Sequence, residues 1–170
     1  AAGEREALTA ALRAALRALG VRRGLVMADV VLTAAGPVLL EVALRPGGDC
    51  LPALCVHAIG YDPVRTACRL ALDLAPDRAL PGPRQPVAAL HLLSDRAGRI
   101  RRIDCARLLA DPRVVRLVEV YHGPGDTLRL WAGSYDDRIL AAVLVTYEDP
   151  ADLPAMGRQL AQAVDVEFEP

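Results

Sequence analysis

One short stretch holds the residues in this sequence best suited to do chemistry together. Residues 38 to 54 read VLLEVALRPGGDCLPAL, in which Glu41 interrupts an apolar run and Arg45, Gly47, Gly48 and Asp49 follow. A second acid, Asp29, lies inside the preceding apolar run GLVMADVVLT. Two carboxylates, an arginine and paired glycines are the parts of a site for magnesium and phosphate. Mg²⁺ takes one or two protein carboxylates and completes its shell with water and phosphate oxygens. Gly47 and Gly48 can bare backbone amides near a helix start, where anions are favoured. The plainer reading is that they only make a turn.

Both apolar runs are rich in β-branched and aliphatic residues and are joined by AAG, which predicts a β-hairpin. A three-residue loop commonly ends on a left-handed glycine, here Gly36. Thr33 would then pair with Pro37, Val31 with Leu39, Asp29 with Glu41, Met27 with Ala43 and Leu25 with Arg45. Strand alternation puts Asp29 and Glu41 on one face. Directly opposed Cβ atoms lie roughly 5 Å apart, so two ionised acids there repel. Proton uptake by one acid, an arginine laid across both, or a bound cation would each offset that repulsion. The structural alternative is a salt bridge at the sheet edge.

Around the hairpin, Leu8, Leu12, Leu16 and Leu19 mark an amphipathic helix that Gly20 terminates. Asp49 is placed to cap a short helix ending near Gly60, and Asp62-Pro63 starts another that runs to Pro76. The proline-rich APDRALPGPRQP reads as a boundary, which divides the chain into 1–76, a linker at 77–86, and 87–170. Beyond it, VAALHLLS, GRIRRID, RVVRLVEVYH, TLRLWAGS and RILAAVLVTYE are strand candidates. CARLLA is a short helix, DPADLPAMGRQLAQAV a closing helix and DVEFEP a last strand. Helices segregated from a largely antiparallel sheet predict an α+β fold.

Composition narrows the function classes. The chain has 170 residues, 53% of them hydrophobic, and a formal net charge of −1, so no broad attraction to nucleic acid or anionic lipid is expected. The cluster Arg99, Arg101, Arg102 reads as a solvated strand edge, with few aromatics nearby for base stacking. A membrane span over 24–45 is disfavoured: Asp29 and Glu41 would each cost about 3 kcal/mol at its centre, and Gly36-Pro37 breaks it. Cys50, Cys55, Cys68 and Cys105 lack metal or redox spacing and read as buried thiols of a reducing, cytoplasmic compartment. His57, His91 and His122 are scattered, and every cationic side chain other than His is an Arg.

With Asp29 on one strand, Glu41-Val42-Ala43-Leu44-Arg45 on the next and Gly47-Gly48-Asp49 after it, the sequence resembles the C-terminal half of the ATP-grasp superfamily. The likeness is to carboxylate–amine ligases such as L-amino acid ligases and to biotin carboxylase, whose second strand carries an ExNxR motif. HAIGYDPVRTACRLALDL resembles the family's following helix, so the likeness covers Ala7 to Leu74. From Val87 to Phe168 it rests on the strand series, the GPGD turn and the closing helix, which resemble the small C-terminal domain of these ligases. The resemblance implies that Asp29 and Glu41 hold Mg²⁺, or Mn²⁺ in its place, against the phosphates of ATP. It implies that Arg45 stabilises an acyl phosphate and that Gly47, Gly48 and Asp49 border the substrate. Val31 and Leu40 would face the adenine.

Ala43 stands where the motif has Asn, and Asp29 where closer relatives have Glu. The family's first half supplies lysines for the nucleotide, and a chain without Lys cannot contain it in the usual form. The expectation is therefore a fragment, inactive alone, whose carboxylate and amine substrates and whose N-terminal partner half lie elsewhere. Two alternatives stand beside it. One is a degenerate ATP-grasp module that binds without turnover, for which Ala43 argues. The other is a plain α+β interaction domain in which Trp131 and Tyr135 form a homodimer surface.

Overall fold

A computed structural model describes residues 2–77, 86–130 and 135–170. The chain divides into two compact units, one of residues 1–52 and 61–80, the other of 53–60 and 81–170. Most of the 77–86 linker and Trp131 lie outside the described residues.

The first unit opens with helix α1, Ala2–Ala18. Gly20 ends it at a φ of 70°, with the amides of Gly20 and Val21 returning to the carbonyls of Arg17 and Leu16 at 3.1 and 2.9 Å. This is a Schellman cap, as the Gly20 position predicts. Strands β1, Met27–Thr33, and β2, Gly36–Ala43, form an antiparallel pair. The turn differs from the expected one. Thr33 pairs with Gly36, so the loop has two residues, and Val31 faces Val38 instead of Leu39. A bulge between Asp29 and Val30 leaves Leu40 as the extra residue, and from there Asp29 pairs with Glu41 and Met27 with Ala43. Leu25 and Arg45 lie beyond the ladder.

Helix α2, Leu51–Ile59, begins in the first unit and ends at Gly60, whose φ is 66°. Asp49 lies one residue outside its cap position and takes a φ of 53°, a left-handed conformation that Asp tolerates better than most side chains. Helix α3, Pro63–Ala71, starts as read: Asp62 Oδ1 accepts the Arg65 amide at 2.9 Å and Pro63 fills the first turn. It stops before Pro76, because Asp73 takes a φ of 58° and the amides of Asp73 and Leu74 bond back to Leu70 and Arg69.

The second unit holds β3, Val87–Leu93; β4, Gly98–Asp104; α4, Ala106–Leu109; and β5, Val114–Val120. It continues with β6, Thr127–Leu128; β7, Ile139–Thr146; α5, Leu153–Ala161; and β8, Asp165–Phe168. Of the expected strand at TLRLWAGS, Thr127–Leu128 pair among the described residues, and 131–134 lie outside them. Two three-stranded antiparallel sheets result, ordered β3-β7-β5 and β6-β4-β8. β7 is buried from Ile139 to Val145, and Leu92, Ile100, Leu108, Met156 and Leu160 pack in the same core. A continuous apolar strand suits a position with neighbours on both edges and cover on its faces. The fold class is α+β, about a third helix and a third strand.

None of the four cysteines is in a disulfide, but only Cys50 is buried; Cys68 is exposed on α3, and Cys55 and Cys105 are half-buried. No helix among the described residues is long and apolar enough to cross a membrane. Arg99, Arg101 and Arg102 are paired with Glu169, Glu167 and Asp104, so that cluster is charge-compensated on the sheet itself.

Candidate functional site

The hairpin sets the two acids directly across from one another on an exposed surface. Neither side chain makes a hydrogen bond or ion pair with any described residue. Of the arrangements that could have relieved their repulsion, the edge salt bridge and the overlying arginine are both absent among the described residues. Arg45 turns away, its Nη1 donating to the Pro46 carbonyl at 2.9 Å. A local carbonyl thus holds the guanidinium that the sequence pattern left to choose between acid pair and loop.

Apolar side chains surround the acids in the open. Val31 is 46% and Leu40 66% exposed, and Val38, paired with Val31, is exposed as well. Leu40 is carried outward by the bulge. Exposed apolar side chains grouped this way mark surfaces that receive something. A two-stranded hairpin is also marginal by itself.

The loop after β2 has its own constraints. A Cβ on Gly47 would meet Leu51 Cδ2, so this glycine lets the first residue of α2 fold back over the loop. Gly48 is exposed, and its carbonyl accepts the Leu51 amide at 3.2 Å. Asp49 is exposed as well. Thus Gly48 and Asp49 sit on the surface leading into α2, while Gly47 is explained by packing.

Sequence reasoning missed Arg23. It lines, with Arg45, Leu25, Leu44, Ala67 and Leu70, a cavity of about 320 Å³ in the first unit. Its Nη2 donates to the Leu74 carbonyl at 2.8 Å and its Nη1 lies 3.5 Å from Asp73, which fixes the α3 cap to the start of the hairpin. The signal available was its position just ahead of Leu25, the residue read as facing Arg45.

The donor set fits a divalent cation. Two opposed, unpaired carboxylates supply hard oxygen ligands in the number Mg²⁺ favours. Ala43, facing Met27 in the ladder, has no oxygen to add.

No protein-family model matches the chain. Carnosine synthase 1 of Gallus gallus is 39% identical over 95 residues, which are 54% of this chain and 10% of that protein. The structure of an L-amino acid ligase from Bacillus licheniformis matches 99% of the chain with a TM-score of 0.75 at 16% identity. A phosphoribosylglycinamide synthetase from Anaerococcus prevotii does so over the same share with a TM-score of 0.76, also at 16% identity. The chain shares its fold with part of each of these two ATP-grasp structures. It spans 42% and 43% of those two ATP-grasp structures and 40% of a third, the N5-carboxyaminoimidazole ribonucleotide synthetase of Thermotoga maritima, matched at a TM-score of 0.59 and 18% identity.

Proposed function

We propose that this chain is the metal- and phosphate-side part of an ATP-dependent ligase that activates a carboxylate as an acyl phosphate and joins it to an amine. The observation that carries the proposal is the register pairing Asp29 with Glu41, unpartnered, among exposed apolar residues. Asp29 and Glu41 would hold Mg²⁺ or Mn²⁺, and Val31 and Leu40 would lie against the adenine of ATP. A divalent cation bound there would draw charge from the phosphate oxygens of the nucleotide. Arg45, freed from the Pro46 carbonyl, would donate to the acyl phosphate and to the charge that develops as the amine attacks. Gly47, Gly48 and Asp49 would border the substrates, with α2's first amides favouring an anion.

The chain alone would not turn over. Its open hairpin surface and its lack of lysine call for a complementary ATP-binding half, on the same polypeptide or on another, to close over the nucleotide. We place the protein in a reducing, cytoplasmic setting, with which four cysteines outside any disulfide agree. A second reading keeps the fold and drops the turnover: with Ala43 offering no ligand, the hairpin would bind nucleotide or partner without reaction. Homodimerisation through Tyr135 belongs to the third, non-catalytic reading.

The test is Mn²⁺ titrated into the chain, alone and with ATP, and read as paramagnetic broadening of backbone amide signals. Broadening centred on Asp29 and Glu41, lost in Glu41→Ala, is expected. Equal broadening in both proteins ends the metal assignment.

A further inference from the structure

The second unit contains a cavity of about 400 Å³ among the β3–β4 turn, the end of α5 and β8. That size is ordinary for a small-molecule site. Its inner surface includes Leu140 and Val164, which are 3% and 6% exposed, so the floor is continuous with the core. Its rim carries Arg96 and Arg158.

These two arginines differ from most others in the unit. Arg99, Arg101, Arg102, Arg107 and Arg113 each face a carboxylate, and Arg138 donates to the Ser94 carbonyl. The side chains of Arg96 and Arg158 make no hydrogen bond or ion pair with any described residue. Arg96 is nevertheless held: its Cζ lies 4.7 Å over the Phe168 ring, and a hydroxyl turn through Ser94 fixes its backbone. Phe168 is seated in turn against Gly98, where a Cβ would come within 2.8 Å of the ring. A guanidinium stacked on an aromatic face keeps its N–H edge for a planar acceptor. Two acids share the rim. Asp165 is already bonded to Arg107 at 2.9 Å, which leaves Asp95 as the acid without a partner among the described residues.

We infer that this cavity binds a small carboxylate with an apolar body, its carboxylate on the Arg96 and Arg158 guanidiniums and its hydrocarbon on the Leu140–Val164 floor. A carboxylate matches the guanidinium fork in two parallel hydrogen bonds, and removing the hydrocarbon from water adds affinity that an inorganic anion cannot gain. The site is independent of the hairpin: it uses no residue assigned to nucleotide or metal.

The experiment is a titration of the full chain with isovalerate, followed by backbone amide shifts, with inorganic phosphate and isopentanol as comparison probes. Isovalerate is expected to shift amides around Arg96, Leu140 and Val164 and to bind at least ~10-fold more tightly than either comparison probe, since each lacks one half of the recognition. Arg96→Ala and Arg158→Ala are each expected to weaken it about 10-fold. Arg116→Ala, which removes an arginine outside the cavity with no side-chain partner among the described residues, should leave it unchanged. Arg96→Lys and Arg158→Lys keep charge and fold while losing the fork, and should weaken binding by an intermediate factor. Phosphate binding as tightly as isovalerate, equal binding by wild type and the two alanine variants, or no isovalerate binding at all would overturn the assignment.

Discussion

Replacing Glu41 with Gln should stabilise the hairpin while removing its response to metal. Asp29 and Glu41 face each other on an exposed surface with no side-chain partner among the described residues, so the pair carries a repulsion that none of these offsets. With carboxylate charges about 6 Å apart in a water-like dielectric, Coulomb's law gives about 0.7 kcal/mol. That corresponds to roughly a threefold change in an opening equilibrium. Hydrogen exchange of the β1 and β2 amides reads such local opening directly. At an ionic strength of about 0.01 M, where screening is weak, Glu41→Gln amides should exchange about threefold more slowly than wild type. The advantage should vanish near 1 M salt, where the screening length falls to about 3 Å. Adding Mg²⁺ should protect the wild-type hairpin and leave the variant unmoved. Exchange that is no slower in the variant at low salt, or equal protection of both proteins by Mg²⁺, would refute the reasoning.

Further expectations follow from other parts of the structure. On the proposed function, Arg45→Ala in the chain joined to a complementary ATP-binding half should lower kcat by about 10²–10³ while leaving ATP affinity nearly unchanged, measured by substrate-dependent ADP release and nucleotide titration. Gly98→Ala should destabilise the second unit by about 1–3 kcal/mol in urea unfolding, since φ is 147° and Phe168 blocks the new methyl. Gly157→Ala, inside α5 with nothing within 4 Å, should instead raise stability by up to about 1 kcal/mol. Asp111 accepts Arg113 Nε at 2.9 Å and Nη2 at 2.7 Å, and these hydrogen bonds hold its carboxyl below the ordinary range. A lowered folded-state value means that the stabilisation is present above the unfolded carboxylate value of about 3.9. It is lost as pH falls through the folded value. With the Arg113 side chain 38% exposed, screening limits the effect to about 0.5 kcal/mol. Wild type and Asp111→Asn should therefore differ in urea midpoint at pH 7 and converge only once the pH has fallen below the lowered folded-state value.

What the sequence made legible were the features set by local chemistry. Gly20, Gly60 and the Asp62-Pro63 pair mark helix ends because φ above zero and an accepting side chain are properties of single residues. The pairing of Asp29 with Glu41 was legible only in its outcome, since the two-residue turn moves the register one place and the extra residue moves it back. The bulge at Leu40 was not, since nothing in VLLEVA distinguishes the extra residue from its neighbours. Nor was the early stop of α3, where Asp73 adopts a conformation usually left to Gly. The orders β3-β7-β5 and β6-β4-β8 depend on pairings between distant segments, which composition and period do not encode. The direction of Arg45 was likewise unreadable: one carbonyl decides it.

The bulge has a consequence for how this hairpin tolerates change in length. A two-residue turn moves every partner by one place, and the extra residue at Leu40 moves them back before the acids are reached. Insertion of a residue near Ala34 accompanied by loss of Leu40 would leave Asp29 facing Glu41. The tip of the hairpin can therefore drift in length without disturbing the acids, provided that each indel at the tip is matched by its opposite at the kink.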